Sequence, residues 1–366
     1  MSDSAARQWP LEGHFVIGGA WCLDVHTECL GSVFMSRTAS HDLEIGLPQG
    51  DVQPEIPERF QQILGPPVLN FELIPPKWTF EPVNEKERHE ERSVSPVWGT
   101  KSGPDNAKVV YPESARNSAQ VIRCRFYTTV EASNEDEWEA ATRVFLGELD
   151  EGWTRFTAWV SVVTGQDFIG LGGYMRQGTK SGAIRTWTGD ADGQRVGQGI
   201  RSSFPPARYG IPPVKLSLED MQRCVNATGR QDPPAEWSLI RDARLLLNSG
   251  HIRRAVLDAG TAAEIAMTLL VDRYLDEADI DEAVKKAITK RFDNLGTMND
   301  LLTSMKPGLL SPDVPTDLIA KRNIAIHGRN RSGKRWDEIT VDEAIKAFQT
   351  AAAIVDAAHP LDDLLA

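Results

Sequence analysis

The chain has 366 residues, 41% of them hydrophobic and 25% charged; that ordinary globular composition excludes collagen-like, disordered and membrane-spanning classes, and the length suffices for two cores. Lys and Arg number 40 against 52 Asp and Glu, a formal net charge of −12, which disfavours a general nucleic-acid coat protein but not an enzyme with a local basic cluster. Four cysteines without a Cys-x-x-Cys are too sparse for a disulfide scaffold, and with no apolar leader at the start the expectation is a cytoplasmic protein with reduced thiols.

Residues 1–130 read as β structure. Short apolar or alternating runs recur between turn residues at His14–Gly18, Gly31–Met35, Leu43–Leu47, Val68–Ile74 and Gln120–Tyr127. The last alternates, with Ile122, Cys124 and Phe126 on one face and Val121, Arg123 and Arg125 on the other. Charges, Pro and Gly over about 75–118 predict long loops. The period changes at Glu135: Trp138, Ala141, Val144, Phe145, Leu149, Trp153, Phe156, Trp159, Val160 and Val163 recur three or four apart, up to Gly165. This predicts one long helix, or two with a break near Gly152, whose aromatic stripe is core rather than a base-stacking surface. Gly and Pro are frequent over 167–213, with room for a hairpin at Ala183–Thr188 and a linker over Ser202–Pro213. From 217 onward the signal is helical, opened by Ser217–Asp220, which resembles a capping box. Helices are expected over Glu236–Asn248, Ile252–Leu275, Asp281–Arg291, Met298–Met305, Thr316–His327 and Val341–Ala358, a helical bundle. The expected fold class is α+β, with a β-rich domain over 1–130, a helical connector over 131–214 and an all-α bundle over 215–366.

Most of the candidate chemistry lies in Lys321-Arg322-Asn323-Ile324-Ala325-Ile326-His327-Gly328-Arg329-Asn330-Arg331. Four residues apart on a helix, Asn323 and His327 share a face, and Arg322, about 100° round the axis, is long enough to reach them. Gly328 reads as the C-cap, which puts His327 in the last turn, where the helix dipole favours the imidazolium. Ile324 and Ile326 are expected to anchor the segment in the core. A fixed imidazole beside an obligate cation suits RNA cleavage with no metal or other cofactor. The imidazole takes the 2′-OH proton or protonates the leaving oxygen, and the guanidinium stabilises the phosphorane. DNA, which lacks the 2′-OH, would be spared. Lys321, Arg329, Arg331, Lys334 and Arg335 are candidates for holding the RNA backbone, against the plainer reading of a solvated loop.

Arg-Asn-x3-His on the penultimate helix of a C-terminal bundle resembles the signature of the HEPN superfamily (higher eukaryotes and prokaryotes nucleotide-binding domains). Arg322, Asn323 and His327 stand at the places of its Arg, polar residue and His. Ala255–Glu264 is similar to the long early helix of such domains, where a Glu, here Glu264, faces the catalytic pair. The likeness covers about 217–360. It implies a metal-independent endoribonuclease that leaves 2′,3′-cyclic phosphate and 5′-hydroxyl ends. It further implies a toxin or an antiviral, abortive-infection effector, acting as a homodimer in which both motifs line one cleft. The 1–130 domain would then sense a phage or cellular trigger or select the substrate. An inactive HEPN-like module that binds a nucleotide or a protein is the alternative. Some members carry Tyr two places after the His; Arg329 stands there in this chain.

Other patterns are weaker. Arg7 to His14 and Arg244 to His251 fit the looser form of that motif, an Arg and a His with four to six residues between them, but Pro10 forbids a helix through the first, and His251 follows the helix-ending Gly250. Gly328-x4-Gly333-Lys334 imitates a phosphate-binding P-loop, with Arg335 where Ser or Thr is needed. Cys22, His26 and Cys29, with His14 or His41, lie close in sequence, but their spacing matches no common zinc site. Small apolar cysteines in β structure is the reading taken.

Overall fold

The structure, a computed structural model, describes residues 6–17, 22–49, 70–74, 99–102, 118–168, 184–189, 195–202, 210–329 and 333–366. It is α+β: an antiparallel sheet region precedes a helical one. The chain divides into two compact units. One takes Met1–Phe168, Pro213–Pro233 and Leu361–Ala366, the other Ile169–Pro212 and Pro234–Pro360. Among the described residues no helix is long and apolar enough to cross a membrane.

In the first unit β1 (Arg7–Val16), β3 (Val33–Arg37), β4 (Asp42–Gly46), β5 (Asn70–Ile74) and β8 (Arg123–Ala132) form an antiparallel sheet of order β3-β4-β8-β1-β5. β1 pairs with β8 over its whole length, from Arg7 opposite Ala132 to Val16 opposite Arg123, but meets β5 only from Glu12 onward. Among the described residues, Pro10, which has no N–H to give, lies on the stretch of β1 that pairs with β8 alone. Along β8 the side chains of Cys124, Phe126, Thr128, Val130 and Ala132 are buried while Arg125, Thr129 and Glu131 are exposed, the two-residue period of a half-covered sheet.

The single strand expected over Gln120–Tyr127 is two strands. β7 (Ser118–Val121) belongs to a second sheet, between β2 (Leu23–His26) and β6 (Gly99–Ser102). The chain changes sheet at Ile122, whose carbonyl accepts a hydrogen bond from the Ile17 N–H at 2.7 Å. Val121 is therefore buried, although simple alternation puts it on the face of the arginines. Val68 and Leu69, Gly18, and nearly all of the 75–118 stretch lie outside the described residues.

α1 (Glu135–Thr164) runs unbroken through Gly152 for 30 residues, about 45 Å. Asn134 caps it by accepting from the Glu137 N–H at 3.0 Å, and Gly165 ends it with φ 72°, a left-handed turn that suits Gly. Trp138, Phe145, Leu149, Trp153, Phe156 and Trp159 are buried, with the Trp153 ring 4.5 Å from Phe15 of β1. The aromatic stripe is core. Val144 is the exception at 59% exposed. Truncating Phe145 to Ala would cost about 3–5 kcal/mol. Because the sheet covers that stripe, α1 is part of the N-terminal core and not a connector. α2 (Leu218–Thr228) also packs on α1 and β3, with Met221, Cys224 and Val225 buried, and α9 (Leu361–Leu365), which no sequence signal announced, joins the same unit. The second unit thus takes the helices from Pro234 onward, not from 215, together with Ile169–Pro212.

Glu148 of α1 fastens the turn between β3 and β4. Its carboxylate accepts from the hydroxyls of Thr38 and Ser40, both at 2.6 Å, from the Ser40 N–H at 3.1 Å, and meets His41 Nδ1 at 3.2 Å. Partial burial pushes its pKa up, but the hydrogen bonds from Ser40, Thr38 and His41 outweigh that and bring it down to about 2. Cys29 is buried and donates to the Leu216 carbonyl at 3.6 Å, and among the described residues no group of His, Cys, Asp and Glu is placed to hold a metal ion.

In the second unit α4 (Ile252–Glu277) is the central helix. α3 (Ala235–Asn248), α6 (Leu295–Met305) and α8 (Val341–Ala358) pack on it. Its buried Ala255, Ala259, Gly260, Ala262, Ala263 and Ala266 keep the surface low, so neighbouring backbones approach closely. α6 starts three residues earlier than Met298 because Asn294 and Thr297 form a capping box. α5 (Glu282–Arg291) buries no residue. The hairpin is present as β9 (Ile184–Gly189) and β10 (Arg195–Ser202), antiparallel; Ala183 and most of the linker lie outside the described residues. The helix expected from Thr316 begins as a wider π turn over Pro315–Ile319 and becomes α7 (Ala320–His327) only at Ala320.

Candidate functional site

α7 lies against α4, with Ile324 and Ala325 buried at the contact. Ile324 anchors the segment as expected. Ile326 does not, and is 41% exposed, because two residues along a helix are about 200° apart and cannot both face the same core. Asn323 and His327 stand one turn apart on the exposed face. Gly328 closes the helix with φ 80°, its N–H donating to the Ile324 carbonyl at 2.9 Å, so His327 is the last helical residue.

Arg322 turns the other way, toward α4. Its side chain crosses Gly260, where a Cβ would meet Arg322 Cδ at 2.7 Å and Cγ at 2.8 Å, and its guanidinium pairs with the Glu264 carboxylate. The pair is mostly covered, with 18% of the Arg322 side chain and 30% of the Glu264 side chain exposed. Gly260 and Glu264 are one turn apart on α4, so one helix face supplies both the seat and the counter-charge. A guanidinium has five N–H donors, and a carboxylate occupying one edge leaves the others for a phosphate oxygen.

The surrounding cations are largely neutralised. Lys321 Nζ donates to Glu343 Oε1 at 2.6 Å, and Lys334 Nζ reaches the same carboxylate at 2.7 and 2.9 Å. Burial raises the Glu343 pKa, but hydrogen bonds from Lys321, Lys334 and the Thr340 N–H prevail and hold it at about 2. Arg335 forms a bidentate pair with Asp337, both bonds 3.0 Å. Arg329 is exposed, and Arg331 lies outside the described residues. The structure therefore brings Arg322 to Glu264 and Asn323 to His327, and draws Lys321 and Lys334 onto Glu343.

Three contributors had no site signal in the sequence. Gly260 was legible only as a lone Gly in an Ala-rich helix. Glu343 reads as the N3 residue of a capping box with Thr340, which it is, and its two lysines come from α7, 22 residues before it, and from the segment after α7, 9 residues before it. Arg253 of α4 donates through Nε to the Ala325 carbonyl at 2.9 Å, in the last turn of α7. On the far side of Glu264 a cavity of about 340 Å³ is lined by Glu264, Asp272 and Asp293 with Thr268, Phe292 and Met298. Its three carboxylates repel phosphate, so a nucleic-acid backbone is better received on the Asn323–His327 side. Comparison of the chain with protein-family models, curated proteins and solved structures finds no match.

Proposed function

We propose that the protein is a metal-independent endoribonuclease of HEPN type, and that Arg322, Asn323 and His327 carry the reaction. The observation that supports this reading most is the division of labour on α7: a guanidinium seated on Gly260 and paired with Glu264 toward α4, and an amide and an imidazole one turn apart that face solvent. His327 takes the proton of a ribose 2′-OH as that oxygen attacks the adjacent phosphorus. Arg322 stabilises the charge gathered on the phosphorane. Asn323 orients a phosphate oxygen or the imidazole. The P–O5′ bond then breaks, the 5′ oxygen takes a proton from an imidazolium, and the products are a 2′,3′-cyclic phosphate and a 5′-hydroxyl. A homodimer formed through the helical unit supplies a second His327, so that one imidazole serves as base and the other as acid. The biological role that fits is a defence or toxin effector in the cytoplasm, with the N-terminal unit receiving the trigger.

A second reading, a catalytically inactive module that binds a nucleotide or a protein, is favoured by the pairing of Lys321, Lys334 and Arg335 with carboxylates, which offsets three of the charges expected to hold an RNA backbone. Cleavage of end-labelled RNA in EDTA separates the two. The ribonuclease reading expects cleavage by the wild type, none by His327→Ala, and a loss of roughly a hundredfold or more for Arg322→Ala. Equal activity in wild type and both variants, or no cleavage of any RNA by the purified protein, sinks it.

A further inference from the structure

Trp336 is 39% exposed, unusual for the largest apolar side chain, yet it is held firmly. Its backbone N–H donates to the Gly328 carbonyl at 3.1 Å, and Arg329 and Arg335 form an antiparallel bridge beside it. The chain thus returns to lie about 5 Å from the residue that follows His327. A 3-10 turn over Trp336–Glu338 fixes the backbone, with the Glu338 carboxylate accepting from the Arg335 N–H at 3.1 Å and Ile339, 3% exposed, anchoring its end. The Arg253 guanidinium lies over the indole, 5.4 Å from the ring centroid, and is itself tied to the Ala325 carbonyl. None of these contacts buries the ring. They present it, rigid and backed by a cation, next to the last turn of α7.

We propose that Trp336, backed by Arg253, is a stacking platform for a nucleobase of single-stranded RNA, adjacent to the phosphate cleaved at His327. The proposal rests on the ribonuclease reading and extends it from chemistry to substrate positioning. A base has a polarisable face whatever its sequence, and an aromatic ring with an arginine beneath it binds that face without reading its edges. The platform therefore fixes where the strand lies rather than which sequence it has. Trp336 is a positioning residue, since it acts on the base and not on the reacting atoms.

The test uses the full chain and a short 2′-O-methyl RNA, which binds but cannot be cleaved, followed by fluorescence anisotropy. Trp336→Ala is expected to weaken binding roughly tenfold, and Trp336→Phe to recover most of it. Removing one base at a time from the oligonucleotide is expected to reveal a single position where the wild type loses the same factor and Trp336→Ala loses nothing further. On cleavable RNA, Trp336→Ala should raise KM with kcat retained. Wild-type affinity in Trp336→Ala overturns the proposal, as does a scan of the wild type with no single sensitive position. So does loss of affinity that tracks dissociation of a dimer in sedimentation, which assigns the ring to a contact between copies. Cleavage indifferent to Trp336 sinks the platform and leaves the ribonuclease standing; Trp336-dependent binding without cleavage does the reverse.

Discussion

Replacing Gly260 by Ala separates the stability of the helical unit from the placement of Arg322. In the interior of α4, Ala is favoured over Gly by about 1 kcal/mol. The added methyl, however, would sit 2.7 Å from Arg322 Cδ and 2.8 Å from Cγ, roughly 0.8 Å inside comfortable carbon–carbon contact. The arginine stem is flexible enough to yield, so the fold survives. Yielding lifts the guanidinium off its seat by a distance of the order of 1 Å and disturbs its pairing with Glu264. A misplacement of that size costs about a hundredfold in rate. Gly260→Ala is therefore expected to leave the urea unfolding midpoint unchanged or slightly raised while kcat for RNA cleavage falls about a hundredfold. In an Arg322→Ala background there is no stem to displace, and the same substitution should show its full stabilisation of about 1 kcal/mol. Full activity together with full stabilisation in the otherwise wild-type protein would refute the reasoning, since it would mean that Arg322 has slack at its seat.

Three further outcomes are expected. Glu343→Gln keeps the cap on α8 but releases Lys321 and Lys334, so RNA affinity should rise at low salt and the slope of log affinity against log salt should steepen by about 0.7 for each lysine that turns to phosphate; a slope unchanged from wild type would mean that neither lysine faces the strand. The Glu148 carboxyl has a folded pKa of about 2, below its unfolded value. Its stabilisation is therefore complete above about pH 4.3 and is lost as the pH falls toward 2. Urea unfolding of wild type and Glu148→Gln should differ by on the order of 1–3 kcal/mol at pH 7 and converge near pH 2. A gap that persists in acid would point to packing rather than charge. Burial pushes the thiols of Cys124 and Cys224 up to about 12, and that of Cys29 likewise, aided there by Glu28. These three should resist a thiol reagent at pH 8 and react only on unfolding, which a time course in urea would check.

The local order was largely legible in the chain. The three-to-four spacing from Trp138 to Val163 marked α1 and its buried face, Val341–Ala358 matched α8 at both ends, and the change from period two to period 3.6 near Glu135 separated sheet from helix. Arg322, Asn323 and His327 could be found because a helix turns a spacing of four into one face, and Gly328 announced where that helix stops. These are properties of neighbours along the backbone, and sequence states them directly. Which surface each face meets is a different matter. The break at Ile122, the burial of Val121 and the capture of α1, α2 and α9 by the N-terminal core follow from which surface was left uncovered, and that depends on every other element. The same holds for the site. Gly260 became a seat, Glu343 a shared anchor for two lysines, and Trp336 a neighbour of His327 only when segments that are not adjacent along the chain were packed to within contact distance. Side-chain reach is a few ångströms, so partnerships of this kind exist only once the tertiary fold has set the distances.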